Sequence, residues 1–123
     1  MTYVPALFAP VLAAALALFL DLPKTFGAHP WWSDTVILIG LPIGVLITAL
    51  LSRLAMPKAA KVSLMGIGTL ATLGIAQAGK ARFAASYAED TFGGQMWYVG
   101  WIATCALLAA LIATTLWPRS RPH

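Results

Sequence analysis

Long apolar runs alternate with short clusters of breakers and charges along this chain. Four runs carry no charged residue: Tyr3 to Leu20, Thr35 to Leu51, Val62 to Ala78 and Trp97 to Trp117. A helix rises about 1.5 Å per residue, so a run of 17 residues reaches roughly 26 Å, enough for a thin hydrocarbon core. The pattern predicts an all-α integral membrane protein. We expect a four-transmembrane-helix bundle with short connectors, spans at about 3–20, 35–51, 62–78 and 97–117, and a single polytopic domain over residues 1–123.

The third run sets the expected organisation. From Lys61 to Asp90 the chain passes from apolar to charged without a strong turn signal, which predicts one long helix leaving the membrane until Gly93 and Gly94 break it. Gly68, Thr72 and Ala76 recur at every fourth position, and Gly74 and Ala78 form a second pair. Such stripes let helix backbones approach closely in lipid, where packing drives association. The third helix is therefore expected at the centre of the bundle. Its partner is expected to be the second run, where Gly40, Gly44, Thr48 and Ser52 share one face at four-residue spacing. Pro42 beside that stripe predicts a kink, structural or acting as a hinge or ligand site.

In the first run Pro5 suits a helix start, while Pro10 predicts a kink or a later start. A cleaved signal peptide is the rival reading; the run is long for one and no Lys or Arg precedes it. Pro23, Gly27 and Pro30 make residues 21–34 a breaker-rich connector, with Ser33 or Asp34 available to cap the next helix. Trp31, Trp32, Trp97, Trp101 and Trp117 fall at the ends of runs, as interfacial anchors do. An aromatic ligand platform is the alternative for the Trp31–Trp32 pair.

Composition agrees with a lipid environment. The chain is 60% hydrophobic and 10% charged, where soluble domains carry about 25% charged residues. Its net charge of +4 lies at the ends of the runs and in no basic stretch of nucleic-acid type, so nucleic acid is not an expected partner. Arg53, Lys58, Lys61, Arg119 and Arg121 stand on one side against Lys24, Lys80 and Arg82 on the other. The positive-inside rule then puts both termini in the cytoplasm, with Lys80 and Arg82 needing local neutralisation by Glu89, Asp90 or a partner. The Ala-rich spans fit the bacterial inner membrane.

Candidate chemistry is sparse. The polar residues inside the runs are Thr48, Thr69, Thr72, Gln77, Thr104, Cys105, Thr114 and Thr115, so no span holds a carboxylate, histidine or cation of the kind ion-coupled carriers use. In size and layout the chain is similar to small multidrug-resistance exporters, but its first run lacks the membrane-embedded glutamate on which that family's proton exchange depends. Cys105 lies in a run, and His29 and His123 lie outside the runs. No nucleophile–base pair, haem ligand set or metal site follows, and we expect no catalysis, no metal and no cofactor. Gln77, Lys80, Arg82 and Tyr87, if the helix continues through them, could contact a lipid headgroup or other anion; the alternative is a solvated, snorkelling helix end. The expectation is a non-catalytic accessory subunit, assembly factor or self-associating bundle, with the lipid bilayer and either copies of itself or other membrane subunits as partners. The alternative is a small oligomeric transporter or channel whose pathway is lined by Thr48, Thr72, Gln77 and Thr104.

Overall fold

The computed structural model describes residues 3–118, so the basic tail of Arg119, Arg121 and His123 lies outside the described residues. The chain forms α1 (Val4–Phe19), a single turn α2 (Leu22–Thr25), α3 (Ser33–Leu51), α4 (Lys58–Ala85) and α5 (Thr91–Leu116), with no strand among the described residues. Helices α3, α4 and α5 are long and apolar enough to cross a membrane; α1 is apolar but has 16 residues.

Helix α1 is continuous through Pro10, whose ring is fully buried, so the later start is not adopted. Asp21 ends it in the left-handed region, at φ 53°. Where the sequence reads as breakers alone, Leu22–Thr25 adds one helical turn. Gly27, at φ 112°, then reverses the chain in a conformation L side chains rarely adopt. Neither Ser33 nor Asp34 caps α3: Trp32 occupies that position without a side-chain hydrogen bond, and Ser33 Oγ donates instead to Pro30 O (3.4 Å). Helix α3 also runs unbroken through Pro42.

The charged continuation of α4 is real but shorter than its composition suggests. The helix extends past the apolar run through Lys80 and Arg82 and stops at Ala85 rather than Asp90. Tyr87 and Ala88 adopt φ 55° and 69°, while Ala88 N–H donates to Phe83 O (2.9 Å) and Tyr87 N–H to Ala84 O (3.2 Å). This is the Schellman pattern, in which a left-handed residue satisfies the last helical carbonyls. The site usually taken by glycine is Tyr87 here, so the sequence carried no stop signal. Gly93 and Gly94, expected to break the helix, instead lie in the first turn of α5. Gly93 N–H donates to the capping Asp90 Oδ1 (2.9 Å), and side chains at the two glycines would press on Arg82 and Phe83.

The centre of the assembly is α5, not α4. It packs against α4, α3 and α1, while α1 packs on α3 and α4 meets little besides α5. Ten residues of α5 are buried, against four of α4. The Gly40–Gly44 stripe therefore meets the fourth run and not the third. A Cβ at Gly40 would stand 2.6 Å from Cys105 Cβ and 2.9 Å from Ala106 N; one at Gly44 would strike the Ala106 carbonyl oxygen. The physical reason is that α5 is itself small on two sides. Ala106, Ala109, Ala110 and Ala113 receive α3, while Gly100 receives α4, a Cβ there standing 2.9 Å from Ala76 Cα. Gly68 meets the Leu107 side chain, and Thr72 reaches Thr104 across the same seam.

The glycines separate accordingly into filled and open positions. Gly44→Ala is expected to cost about 1–3 kcal/mol through overpacking against backbone, and Gly44→Leu to abolish folding. Gly66, with nothing within 4 Å of a Cβ, is expected to accept Ala neutrally or with a gain of up to ~1 kcal/mol. Thermal unfolding in detergent checks this ordering, and equal losses at both positions would refute the α3–α5 contact.

Candidate functional site

Polar groups inside an apolar bundle either bind something or bind each other. Here the hydroxyls bind each other or a helix carbonyl. Thr48 Oγ1 donates to Ala110 O (3.1 Å) and lies 3.2 Å from Thr114 Oγ1, joining α3 to α5. Thr72 and Thr104 hydroxyls, 3.0 Å apart, join α4 to α5. Thr69 and Thr115 hydroxyls turn back on carbonyls of their own helices. The stripe residue Ser52 does the same, donating to Ala49 O (2.6 Å). Among the described residues no group of three or more His, Cys, Asp or Glu side chains could hold a metal ion, and Cys105 is a free thiol.

At one end of the bundle the connector after α2 folds back over α4 and α5. Gln77 Nε2 donates to Phe26 O (2.7 Å) and Trp97 Nε1 to Gly27 O (2.9 Å). His29 then stands edge-on to Trp31 and Trp97, with centroids at 5.2 and 5.4 Å, and over Trp32 at 6.0 Å. Trp31 N–H donates to its Nδ1 (3.1 Å). Trp32 also meets Trp97 and Tyr98 edge-on at 5.1 Å each. Edge-to-face aromatic pairs of this kind are worth about 0.5–1.5 kcal/mol beyond their burial.

This arrangement corrects the reading of the tryptophans as one class. Trp31, 90% exposed, has an anchor's environment, and Trp117 is half-buried against Tyr3 with ring centroids 5.1 Å apart. Trp32 is half-buried in the aromatic cluster. Trp97 and Trp101 are core residues, 8% and 5% exposed. The cause is the early start of α5 at Thr91, which carries them inside the bundle. Their spacing was the available signal: residues one turn apart lie about 6 Å apart in depth and on one face, unlike two members of an interfacial belt. Trp101 Nε1 is buried without a hydrogen-bond partner among the described residues.

Gln77, Lys80, Arg82 and Tyr87 do not form one site. Gln77 holds the connector, and Lys80 Nζ lies beside Gly27, 3.3 Å from where a Cβ would stand. Arg82 Nε pairs with Asp90 Oδ2 (3.0 Å), with its guanidinium 5.1 Å from the Phe92 ring centroid. Tyr87 projects from the left-handed turn, 92% exposed. The helix they were to share ends at Ala85. Asp90 supplies the local neutralisation that Arg82 needed. The Gly93 N–H, and beyond it the Arg82 guanidinium, hold the Asp90 carboxyl below its ordinary value of 3.8.

The opposite end holds a feature the sequence did not disclose. A cavity of about 660 Å³, open on one side, lies between the ends of α1, α3, α4 and α5. Tyr3, Thr48, Ser52, Lys58, Lys61 and Trp117 contribute to its wall. Helix α4 begins at Lys58, ahead of the apolar run, and so presents Lys58 and Lys61 one turn apart. Comparison with protein-family models, curated proteins and solved structures finds no match to the chain.

Two substitutions probe the connector end. Gln77→Leu removes one buried-side anchor worth about 1 kcal/mol, so amide exchange at Phe26–His29 is expected to accelerate roughly fivefold while global melting barely moves. Because Asp90 titrates lower in the folded than in the unfolded chain, its contribution is complete above pH 3.8 and lost as pH falls below it. The stability advantage of wild type over Asp90→Ala should therefore vanish on acidification, as read by unfolding at a series of pH values.

Proposed function

We propose that the protein is a multi-pass membrane subunit with a non-catalytic role, one that acts by packing against partner helices in a larger complex or in copies of itself. The observation that carries this reading is the outer side of α4. Among the helices it leans almost entirely on α5. Ile67 and Leu70 stand 67% and 72% exposed, and Gly66 and Gly74 have open space where a side chain would be. Open glycines beside large apolar residues suit the close approach of another helix in lipid. The pairing of Thr48, Thr72 and Thr104 at the seams on either side of α5, and of Gln77 with the connector carbonyl of Phe26, gives the transporter reading no support.

In this proposal α1 is the fourth span. Its 16 residues cover about 24 Å, short enough to require a thinned bilayer or flanking Tyr3 and Leu20 at the boundary. The contact between Tyr3 and Trp117 puts both described ends at one end of the bundle, as four traverses demand. Arg53, Lys58 and Lys61 lie at that end, and all four carboxylates of the chain lie in the elements of the other. With Arg119 and Arg121 following α5 in the sequence, five Lys and Arg belong to the basic side against Lys24, Lys80 and Arg82, and on that count the positive-inside rule makes it the cytoplasmic one; the bacterial inner membrane is the proposed location.

Native mass spectrometry of tagged protein extracted in mild detergent tests the reading. We expect a heteromeric or homo-oligomeric particle that Gly74→Leu dissociates without lowering the melting temperature of the subunit. A strict monomer in every mild detergent, together with substrate-dependent flux in liposomes, would replace it with a transport function.

A further inference from the structure

The cavity at the basic end combines three properties that nothing in the packing of the bundle requires. It is roomy: about 660 Å³ falls inside the range of roughly 300–1,000 Å³ typical of small-ligand sites. It is positively charged on its wall, where half-buried Lys58 and Lys61 stand with no side-chain carboxylate at that end among the described residues. It is also graded in its donors. On the α3 wall the Thr48 and Ser52 hydroxyl protons are committed to Ala110 O and Ala49 O, so little is left there to donate to an anion. On the α4 wall donors remain. Lys58 uses one ammonium proton on Trp117 O (3.0 Å), leaving two. Lys61 makes no hydrogen bond or ion pair among the described residues. The first turn of α4 begins between them without a side-chain cap, its free N–H groups and dipole favouring negative charge.

From this grading we infer that the cavity binds the phosphate of an anionic phospholipid. The phosphate sits on Lys58, Lys61 and the start of α4, with the Tyr3 and Trp117 rings beside the glycerol and upper acyl chain. Basic pockets between spans on the cytoplasmic side suit anionic headgroups, and the Tyr3 and Trp117 rings, edge-to-face at the wall, supply the apolar flank such a ligand needs. The site rests on the membrane placement proposed above.

The test uses full-length protein in mild detergent, offered phosphatidylglycerol, phosphatidylcholine, diacylglycerol or inorganic phosphate, with retained ligand read by native mass spectrometry. We expect one phosphatidylglycerol per chain, held about tenfold more tightly than the zwitterionic lipid or diacylglycerol, the scale of one charge-assisted hydrogen bond. Lys61→Gln, and more so Lys58→Gln with Lys61→Gln, should lose that preference. Lys61→Arg should keep it, as should Lys80→Gln at the far end. Melting of each variant in lipid-free detergent separates lost binding from lost fold, and Lys61→Arg retention supports the site even where a Gln variant fails to fold. Equal retention by wild type and a folded Lys61→Gln overturns the site. Displacement of the lipid by millimolar inorganic phosphate overturns the lipid as ligand in favour of a soluble phosphate. Carbonate extraction of native membranes reports on placement separately: a membrane-retained protein without lipid preference sinks this site alone, whereas a protein released by carbonate sinks the placement itself.

Discussion

Backbone-to-backbone approach along α5 is the constraint on which the rest of the structure depends. A helix can be central in a small bundle only if its neighbours reach it on more than one side, and side-chain bulk sets how near they come. Helix α5 meets this by being small toward α3 at Ala106, Ala109 and Ala110, and small toward α4 at Gly100. Gly40, Gly44 and Ala76 answer from the other helices. Close packing then brings threonine hydroxyls into reach across both seams, so Thr48 finds Ala110 and Thr114, and Thr72 finds Thr104. A hydrogen bond between neutral groups adds little, about 1 kcal/mol or less in a bilayer setting, but it fixes which residues face one another.

The two ends of the bundle solve different problems. At one end the chain must return from α1 to α3 across the top of α4 and α5, and Gly27 supplies the reversal. Exposed backbone carbonyls of that connector would cost free energy if left dry, and Gln77 and Trp97 satisfy two of them. The aromatic cluster around His29 then closes the end. At the other end the described helix termini converge around a cavity. Lys58 bonds the last carbonyl of α5 there, a cation at a helix C-terminus, while Lys61 has no such occupation.

Charge follows the same division. Every carboxylate of the chain belongs to the connector end, where Arg82 and Asp90 pair and Asp90 also begins α5. One residue thus terminates a charge imbalance and starts the central helix. Among the described residues the lysines of the basic end have no carboxylate partner, the observation from which the lipid-phosphate proposal starts.

What the sequence determined by itself is the class of structure and the periodic features. Apolar runs without charge dictate helices that lipid can cover, and four-residue spacing of small residues dictates which faces can approach another backbone. It showed that Gly40 and Gly44 would pack closely and that Arg82 would need a nearby carboxylate. Pairing was misread: the stripes of the second and third runs suggested that they meet, whereas both pack on α5, whose Gly100, Ala106 and Ala110 let two neighbours approach. The end of α4 was undetermined because Tyr87 occupies a left-handed position that local propensity assigns to glycine. Trp97 and Trp101 were misplaced by the same cause. Once α4 stops at Ala85, α5 can start at Asp90's cap and carry both rings inward. The cavity belongs to no stretch of sequence, since it is the space left where four helix ends from distant parts of the chain meet.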